Sequence, residues 1–194
     1  MPKLRLTFEK RGAAAFIGHL DLQRVFQRAI RRGGVPAAYS EGFHPHPKLS
    51  FALPLPLGME GLAEYADIET TEPAEGIARA LSRALPSGIT VTGAEEFEGK
   101  GSAARVIRAV YRAELPSGAE VNVSPPFIVI KKGAAFDAAA DVFALEASGR
   151  TIRAEISAGG ERSLRPDALV AAITGESAFP PNSIIYVRER LILK

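Results

Sequence analysis

The chain of 194 residues contains no cysteine. It therefore forms no disulfide, offers no thiolate nucleophile and holds neither zinc nor an iron–sulfur cluster through sulfur. No apolar run approaches the roughly 18 residues that span a bilayer. Residues 1–10 are already charged and alternating, which is unlike a signal peptide. We expect a cytoplasmic, bacterial-type protein with no membrane association.

Hydrophobic residues make up 46% of the chain and charged residues 24%, which is typical of a globular protein with a buried core. The charges are unevenly distributed. Residues 1–50 carry nine Lys and Arg against three Asp and Glu, a balance of +6, whereas residues 51–100 carry three against nine, a balance of −6. The excess of positive charge in residues 1–50 has two interpretations. It predicts a basic face that binds phosphate or an acidic partner, or it belongs to a mixed surface on which the charges form local ion pairs.

The first half has the periodicities of a compact α+β unit. Lys3 to Glu9 alternates as a half-buried strand, and a helix follows that ends at Gly33-Gly34. The remaining elements are a short strand at 49–53, a strand at 64–70, a helix at 73–85 and a strand at 89–97. The order strand-helix-strand-strand-helix-strand is the ferredoxin-like pattern.

The second half repeats this order weakly. Strands are predicted at 105–115, 127–132 and 184–193, a hairpin at 142–157 and a helix at 165–173, but no counterpart of the first helix is found. Pro180 to Ser183 precedes the last strand much as Pro86 to Gly88 precedes Ile89. We therefore predict tandem ferredoxin-like units with a degenerate second copy: residues 1–98, a linker at 99–104, and residues 105–194.

All three histidines lie between residues 19 and 46. His19 begins the first helix, where it and Asp21 either cap the helix or favour an anion nearby. His44 and His46 alternate with prolines that stiffen an extended strip. His19, His44 and His46 are thus candidates for acid–base catalysis, or less favourably for metal binding, and we expect no bound cofactor.

The same stretch interleaves aromatic and cationic residues, which suits single-stranded or looped RNA. The candidate nucleic-acid-binding residues are Arg24, Arg28, Arg31, Arg32, Tyr39, Phe43, His44, His46 and Lys48. In the alternative interpretation Tyr39 and Phe43 fill the core and the arginines form a solvated helix face. The binding interpretation requires the first helix and the strip ending at Lys48 to meet at one concave surface.

Other features are expected to be structural. No Walker loop or dinucleotide fingerprint is present. Gly99 to Ser102 is expected to be a linker rather than a phosphate cradle. Glu64, Asp67 and Glu69 are expected to form the exposed edge of one strand rather than a metal cluster.

The segments Phe16 to Leu22, Tyr39 to Lys48 and Pro54 to Gly58 resemble the radical-SAM-linked domain of unknown function, whose members occur alone or fused to cobalamin-binding radical SAM proteins. The resemblance covers about the first 100 residues well, but Phe136 to Ala139 departs from the family's second-half element. Genes of this family tend to lie beside those of a radical SAM protein, a ribonuclease and ribosomal proteins. The resemblance implies a radical SAM protein and RNA or a ribosomal component as partners.

Three functions remain open. The chain is expected to be a non-catalytic accessory module that binds RNA or a ribosomal substrate for a radical SAM enzyme. A metal-independent RNA-processing enzyme using histidine acid–base chemistry is the first alternative, with Lys48 stabilising phosphate charge. A protein–protein adaptor without an RNA role, docking through its acidic middle segment or through Leu53 to Leu57, is the second.

Overall fold

The structure is a computed structural model that describes residues 2–71, 73–131, 133–160, 163–175 and 183–194. The chain divides into two compact units, residues 1–106 and 107–194. Both contain strands and helices, and the prediction of a mixed α+β fold is confirmed. Among the described residues, no helix combines the length and the apolar character needed to cross a membrane.

The first unit contains a sheet and two helices. Its elements are β1 (Lys3–Lys10), α1 (His19–Arg32), β2 (Leu49–Phe51), β3 (Glu60–Glu69), α2 (Ala74–Ala84) and β4 (Ile89–Glu96). Strand β1 lies between β4 and β3, and β2 pairs with β3. All three pairings are antiparallel. The strands and helices predicted in this half are found at the expected places.

Alternation along β1 separates the two faces of this sheet. Leu4, Leu6 and Phe8 are buried and form one core with Phe26 of α1 and Leu81 of α2. Since side chains alternate across a strand, the neighbouring residues face the opposite side, away from α1 and α2. We call that side the polar face; it includes Lys3, Arg5, Ser50, Asp67 and Glu69.

Glycines allow the chain to turn tightly at the ends of these elements. Helix α1 ends at Gly33, as predicted, and Gly34 follows with φ +65°. Gly88, which precedes β4, has φ +86°, and a Cβ there would lie 2.6 Å from the carbonyl oxygen of Arg11. Only glycine fits this close approach of two backbone segments.

The second unit has six strands and one α-helix among its described residues: β5 (Val106–Glu114), β6 (Ile128–Lys131), β7 (Ala134–Asp137), β8 (Val142–Ser148), β9 (Thr151–Ser157), α3 (Pro166–Thr174) and β10 (Ile185–Leu193). The order β10-β5-β9-β8 forms a sheet, and β6 and β7 form a separate pair. Strand β7 was not predicted. Pro180 to Asn182, expected to lead into the last strand, lie outside the described residues.

Candidate functional site

The segment between α1 and β2 is a hydrogen-bonded hairpin, which we call the His–Pro hairpin (residues 38–48). Its ends meet where the Lys48 amide donates to the Ala38 carbonyl at 2.7 Å, and the Ser40 amide donates to the His46 carbonyl at 2.8 Å. The Ala38 amide also donates to the Glu69 carbonyl at 2.8 Å. The hairpin is thereby anchored to the end of β3.

The tip of the His–Pro hairpin presents an aromatic side chain to solvent. Phe43 is completely exposed, at 102% relative accessibility, and Tyr39 is 41% exposed. Gly42 beside Phe43 has φ +111°, a conformation that favours glycine in this turn. The alternative in which Tyr39 and Phe43 fill the core is therefore wrong.

Two histidines lie on this hairpin. His44 and His46 are both exposed. The Nδ1 atom of His46 lies 3.0 Å from the Ser40 hydroxyl oxygen, and that oxygen also accepts the His46 amide at 3.1 Å. Ser40 thus holds His46 by both its ring and its backbone, and this contact anchors the extended segment that carries His44 and His46.

His19 has a different environment. It is the first residue of α1, is partly buried, and its ring centroid lies 5.7 Å from that of Phe51 in an edge-on arrangement. Phe51 packs in turn against Phe26 at 5.2 Å and Phe8 at 5.8 Å. His19 therefore borders the aromatic core rather than the exposed hairpin tip.

The start of α1 is not capped by a side chain. Gly18 occupies the N-cap position, and no side chain makes a capping hydrogen bond. Asp21 instead pairs with Arg24, whose Nη1 lies 2.8 Å from its Oδ1, with both side chains exposed. The expectation that His19 and Asp21 cap this helix is wrong.

The predicted cations of α1 divide into two groups. Arg24, Arg28 and Arg31 are exposed on its solvent side, as predicted, and Arg28 forms no ion pair within the described part of the chain. Arg32 instead donates from Nη2 to the carbonyl oxygen of Ala84, at the end of α2. Arg32 therefore joins the two helices of the unit.

Lys48 is separated from these arginines by the sheet. Its Nζ lies 3.6 Å from Oε2 of Glu69, on the polar face. Helix α1 packs on the other face through Phe26 and Ile30. The structure does not bring Lys48 together with the α1 arginines at one concave surface.

The three histidines do not form a metal centre in this structure. Among the described residues, no group of three His, Cys, Asp or Glu side chains could hold a metal ion. No hydrogen bond within the described ranges links the side chains of two of these histidines. His19 borders the core, and the His46 ring is held at Ser40.

Sequence reasoning missed a buried charge pair on the polar face. The Nε of Arg5 lies 3.2 Å from Oδ1 of Asp67, and the two side chains are 5% and 8% exposed. Glu64 is also buried, so the expectation that Glu64, Asp67 and Glu69 form an exposed edge is wrong. No local signal marked this pair, because Arg5 and Asp67 meet only through the pairing of β1 with β3.

The expected linker also packs onto this pair. Ser102 is buried in a short 3₁₀ turn (Ser102–Ala104), and its amide donates to Oδ2 of Asp67. Lys10 is a second missed residue; it is fully buried, and its Nζ donates to the carbonyl oxygen of Ile17 at 2.9 Å, just before α1. Its position in phase with Leu4, Leu6 and Phe8 was the signal.

The fold and the hairpin define a two-unit α+β protein with an exposed aromatic and histidine tip. A family model described as "Uncharacterized protein conserved in bacteria (DUF2344)" matches residues 3–166, and the chain belongs to this family. No curated protein matches the chain.

Proposed function

We propose that this protein is a non-catalytic module that binds RNA or a ribosomal component and presents it to a radical SAM enzyme. The observation that carries the RNA-binding part is Phe43, which is fully exposed at the tip of a hydrogen-bonded hairpin. An exposed ring contributes nothing to core packing. It is, however, a suitable platform for an unstacked base.

The cations needed for phosphate contact lie on α1. Arg24, Arg28 and Arg31 share its solvent side, and guanidinium groups bind phosphate oxygens in a bidentate manner. The chain runs from the last turn of α1 to a bridge between Ala37 and Thr70, where the His–Pro hairpin begins. Arg31 therefore lies at the end of α1 from which the chain continues into the His–Pro hairpin. We assign Lys48 no part in this surface.

The radical SAM partner and the tandem architecture are further parts of the proposal. The partner rests on the family resemblance of residues 16–58, and this chain has no cysteine to hold a cluster itself.

The order β4-β1-β3, with β2 beside β3 and all pairs antiparallel, supports a ferredoxin-like first unit. The second unit keeps the hairpin, helix and final strand of that pattern, which supports a degenerate copy.

The first test measures binding of single-stranded RNA by fluorescence anisotropy. Phe43→Ala is expected to weaken binding by about tenfold or more, because a stacked base contributes roughly 1–3 kcal/mol. Arg28→Gln is expected to weaken it less and to lower the slope of log affinity against log salt by roughly 0.7. Arg79→Gln, on the exposed side of α2, is the matched control.

Three outcomes would contradict RNA binding at this surface: no binding by the unmodified chain, binding that is insensitive to salt, or equal affinities for Phe43→Ala and the control. The enzymatic alternative is tested in the same samples. Cleavage of the RNA without metal, abolished by His44→Gln or His46→Gln, would show catalysis instead.

The adaptor function has one observation in its favour. Phe16, Leu20 and Leu57 are 72%, 65% and 68% exposed. Phe16 and Leu57 belong to segments joined by a hydrogen bond of 2.9 Å from the Gly58 amide to the Ala15 carbonyl. Capture of the radical SAM protein from nuclease-treated lysate, lost in Leu57→Ser but retained in Phe43→Ala, would favour an adaptor over an RNA-binding module.

A further inference from the structure

The polar face of the first unit contains a cavity that the proposed RNA surface does not use. Its volume is about 280 Å³, and it is lined by Lys3, Lys48, Leu49, Ser50, Asp67, Ile68, Glu69, Phe97 and Gly101. Pockets that bind small molecules have volumes of roughly 300–1,000 Å³, so this cavity lies at the lower limit of that range. The cavity therefore suits a compact ligand rather than a polymer.

The register of the strands places an aromatic ring, an ammonium group and a carboxylate side by side. Lys3 pairs with Glu69 across β1 and β3. On the other side of β1, the Phe97 amide donates to the Lys3 carbonyl at 3.1 Å. Because neighbours in register share a sheet face, Phe97, Lys3 and Glu69 form one row.

The floor beneath this row is rigid. Asp67 is held by Arg5 and by the Ser102 amide, and the Arg5 guanidinium lies 4.4 Å from the centre of the Phe97 ring. The buried ion pair thus fixes both Phe97 and the Gly101–Ser102 backbone. Such preorganisation lowers the entropic cost of binding a ligand.

The charges around the cavity leave one cation available. Asp67 is neutralised by Arg5, and Glu69 lies beside Lys48 at 3.6 Å. Lys3 is exposed and has no ion-pair partner among the residues that the structure describes. A ligand here needs an anionic group for Lys3 and hydrogen-bond donors for the carboxylate of Glu69.

Two buried polar atoms around Asp67 also lack hydrogen-bond partners, namely Nη2 of Arg5 and the hydroxyl oxygen of Ser102. Buried polar groups normally find a partner. Neither Arg5 nor Ser102 lines the cavity, so these atoms belong to the layer beneath Asp67 and the lining residues alone define the site.

We infer that this cavity binds a nucleoside monophosphate, with the base against Phe97, its amino or imino hydrogens toward Glu69, and the phosphate at Lys3. A nucleotide combines the flat ring, the hydrogen-bond donors and the single anionic group that these residues require. The inference goes beyond the proposed RNA-binding surface and does not depend on it.

The test is a titration of the 194-residue chain with N-methylanthraniloyl-labelled GMP and AMP, measured by fluorescence anisotropy, followed by displacement with the unlabelled nucleotides. The protein has no tryptophan, so its own emission is low. Lys3→Gln and Phe97→Leu are each expected to weaken binding by about tenfold. Phe97→Tyr keeps a ring and is expected to retain affinity, and Arg79→Gln is the surface-charge control.

Several results would overturn the site: no saturable binding, unchanged affinity in both Lys3→Gln and Phe97→Leu, or displacement by inorganic phosphate as effective as by the nucleotide. Thermal unfolding of each variant separates loss of the ligand from loss of the fold. Lys3→Gln and Phe97→Leu leave the His–Pro hairpin and the α1 arginines intact. RNA binding should persist in them, so the failure of one proposal does not imply the failure of the other.

Discussion

Two histidine–phenylalanine pairs from the same stretch of chain have opposite environments. The His19 ring packs edge-on against Phe51, which belongs to a group of rings that includes the fully buried Phe26. His44 and Phe43 lie at an exposed hairpin tip, where Phe43 has no core contact to lose. The residue types are the same in both places. The secondary-structure element that carries each pair therefore decides whether its rings stabilise the fold or remain free for a ligand.

Removing one ring from each place is expected to have very different effects on stability. Phe26→Ala is expected to lower the free energy of unfolding by about 3–5 kcal/mol, because it leaves a cavity among Phe8, Phe51 and Ile30. Phe43→Ala is expected to change it by less than about 0.5 kcal/mol. Denaturant unfolding measures both values. Similar losses in the two variants would show that the hairpin tip is packed after all.

The same contrast applies to ion pairs. Asp67→Ala leaves the buried Arg5 guanidinium without its carboxylate and is expected to cost about 3 kcal/mol of unfolding free energy. Asp21→Ala removes the exposed partner of Arg24 and is expected to cost at most about 1 kcal/mol. Equal effects in denaturant unfolding would indicate that Asp67 is hydrated rather than enclosed.

The elements of the first unit could be predicted because each has a clear periodic signal. Lys3 to Lys10 alternates, and Leu22, Phe26, Ala29 and Ile30 recur at helical spacing before Gly33. Strand β7 escaped prediction because Ala134 and Ala135 give no alternation between apolar and polar residues. Its pairing with β6 depends on cross-strand contacts that no local window contains.

The candidate site was predictable in its residue types but not in its geometry. Periodicity placed Arg24, Arg28 and Arg31 on the solvent side of α1, since one helix face is a local property. It could not show that Lys48 lies across the sheet from them, because that depends on the pairing of β2 with β3. Asp67 was assigned to an exposed edge for a related reason, since its burial depends on Arg5 and Ser102, which are distant in sequence.

Tyr186 in the second unit is partly buried, and its environment is thus intermediate between those of the buried and the exposed rings. Burial, with a smaller contribution from the negative charge of Asp167, raises the pKa of Tyr186 to about 12. Below its unfolded pKa of about 10 the phenol is protonated in both states and adds no pH dependence. Between about pH 10 and 12 the unfolded chain releases this proton first, so stability is expected to fall. Tyr186→Phe should flatten this part of the curve of unfolding free energy against pH; an unchanged slope would place the hydroxyl in water.

The smallest expected effect concerns the order of the exposed hairpin itself. Ser40→Ala removes the hydroxyl oxygen that accepts the His46 amide at 3.1 Å and lies 3.0 Å from its ring nitrogen. Hydrogen bonds of this kind contribute about 1 kcal/mol. Global stability is expected to change little, because the hairpin lies outside the core, whereas hydrogen exchange of the His46 amide should become several-fold faster. Unchanged exchange at His46 would mean that the prolines alone hold the strip, and that His44 and Phe43 are positioned without help from Ser40.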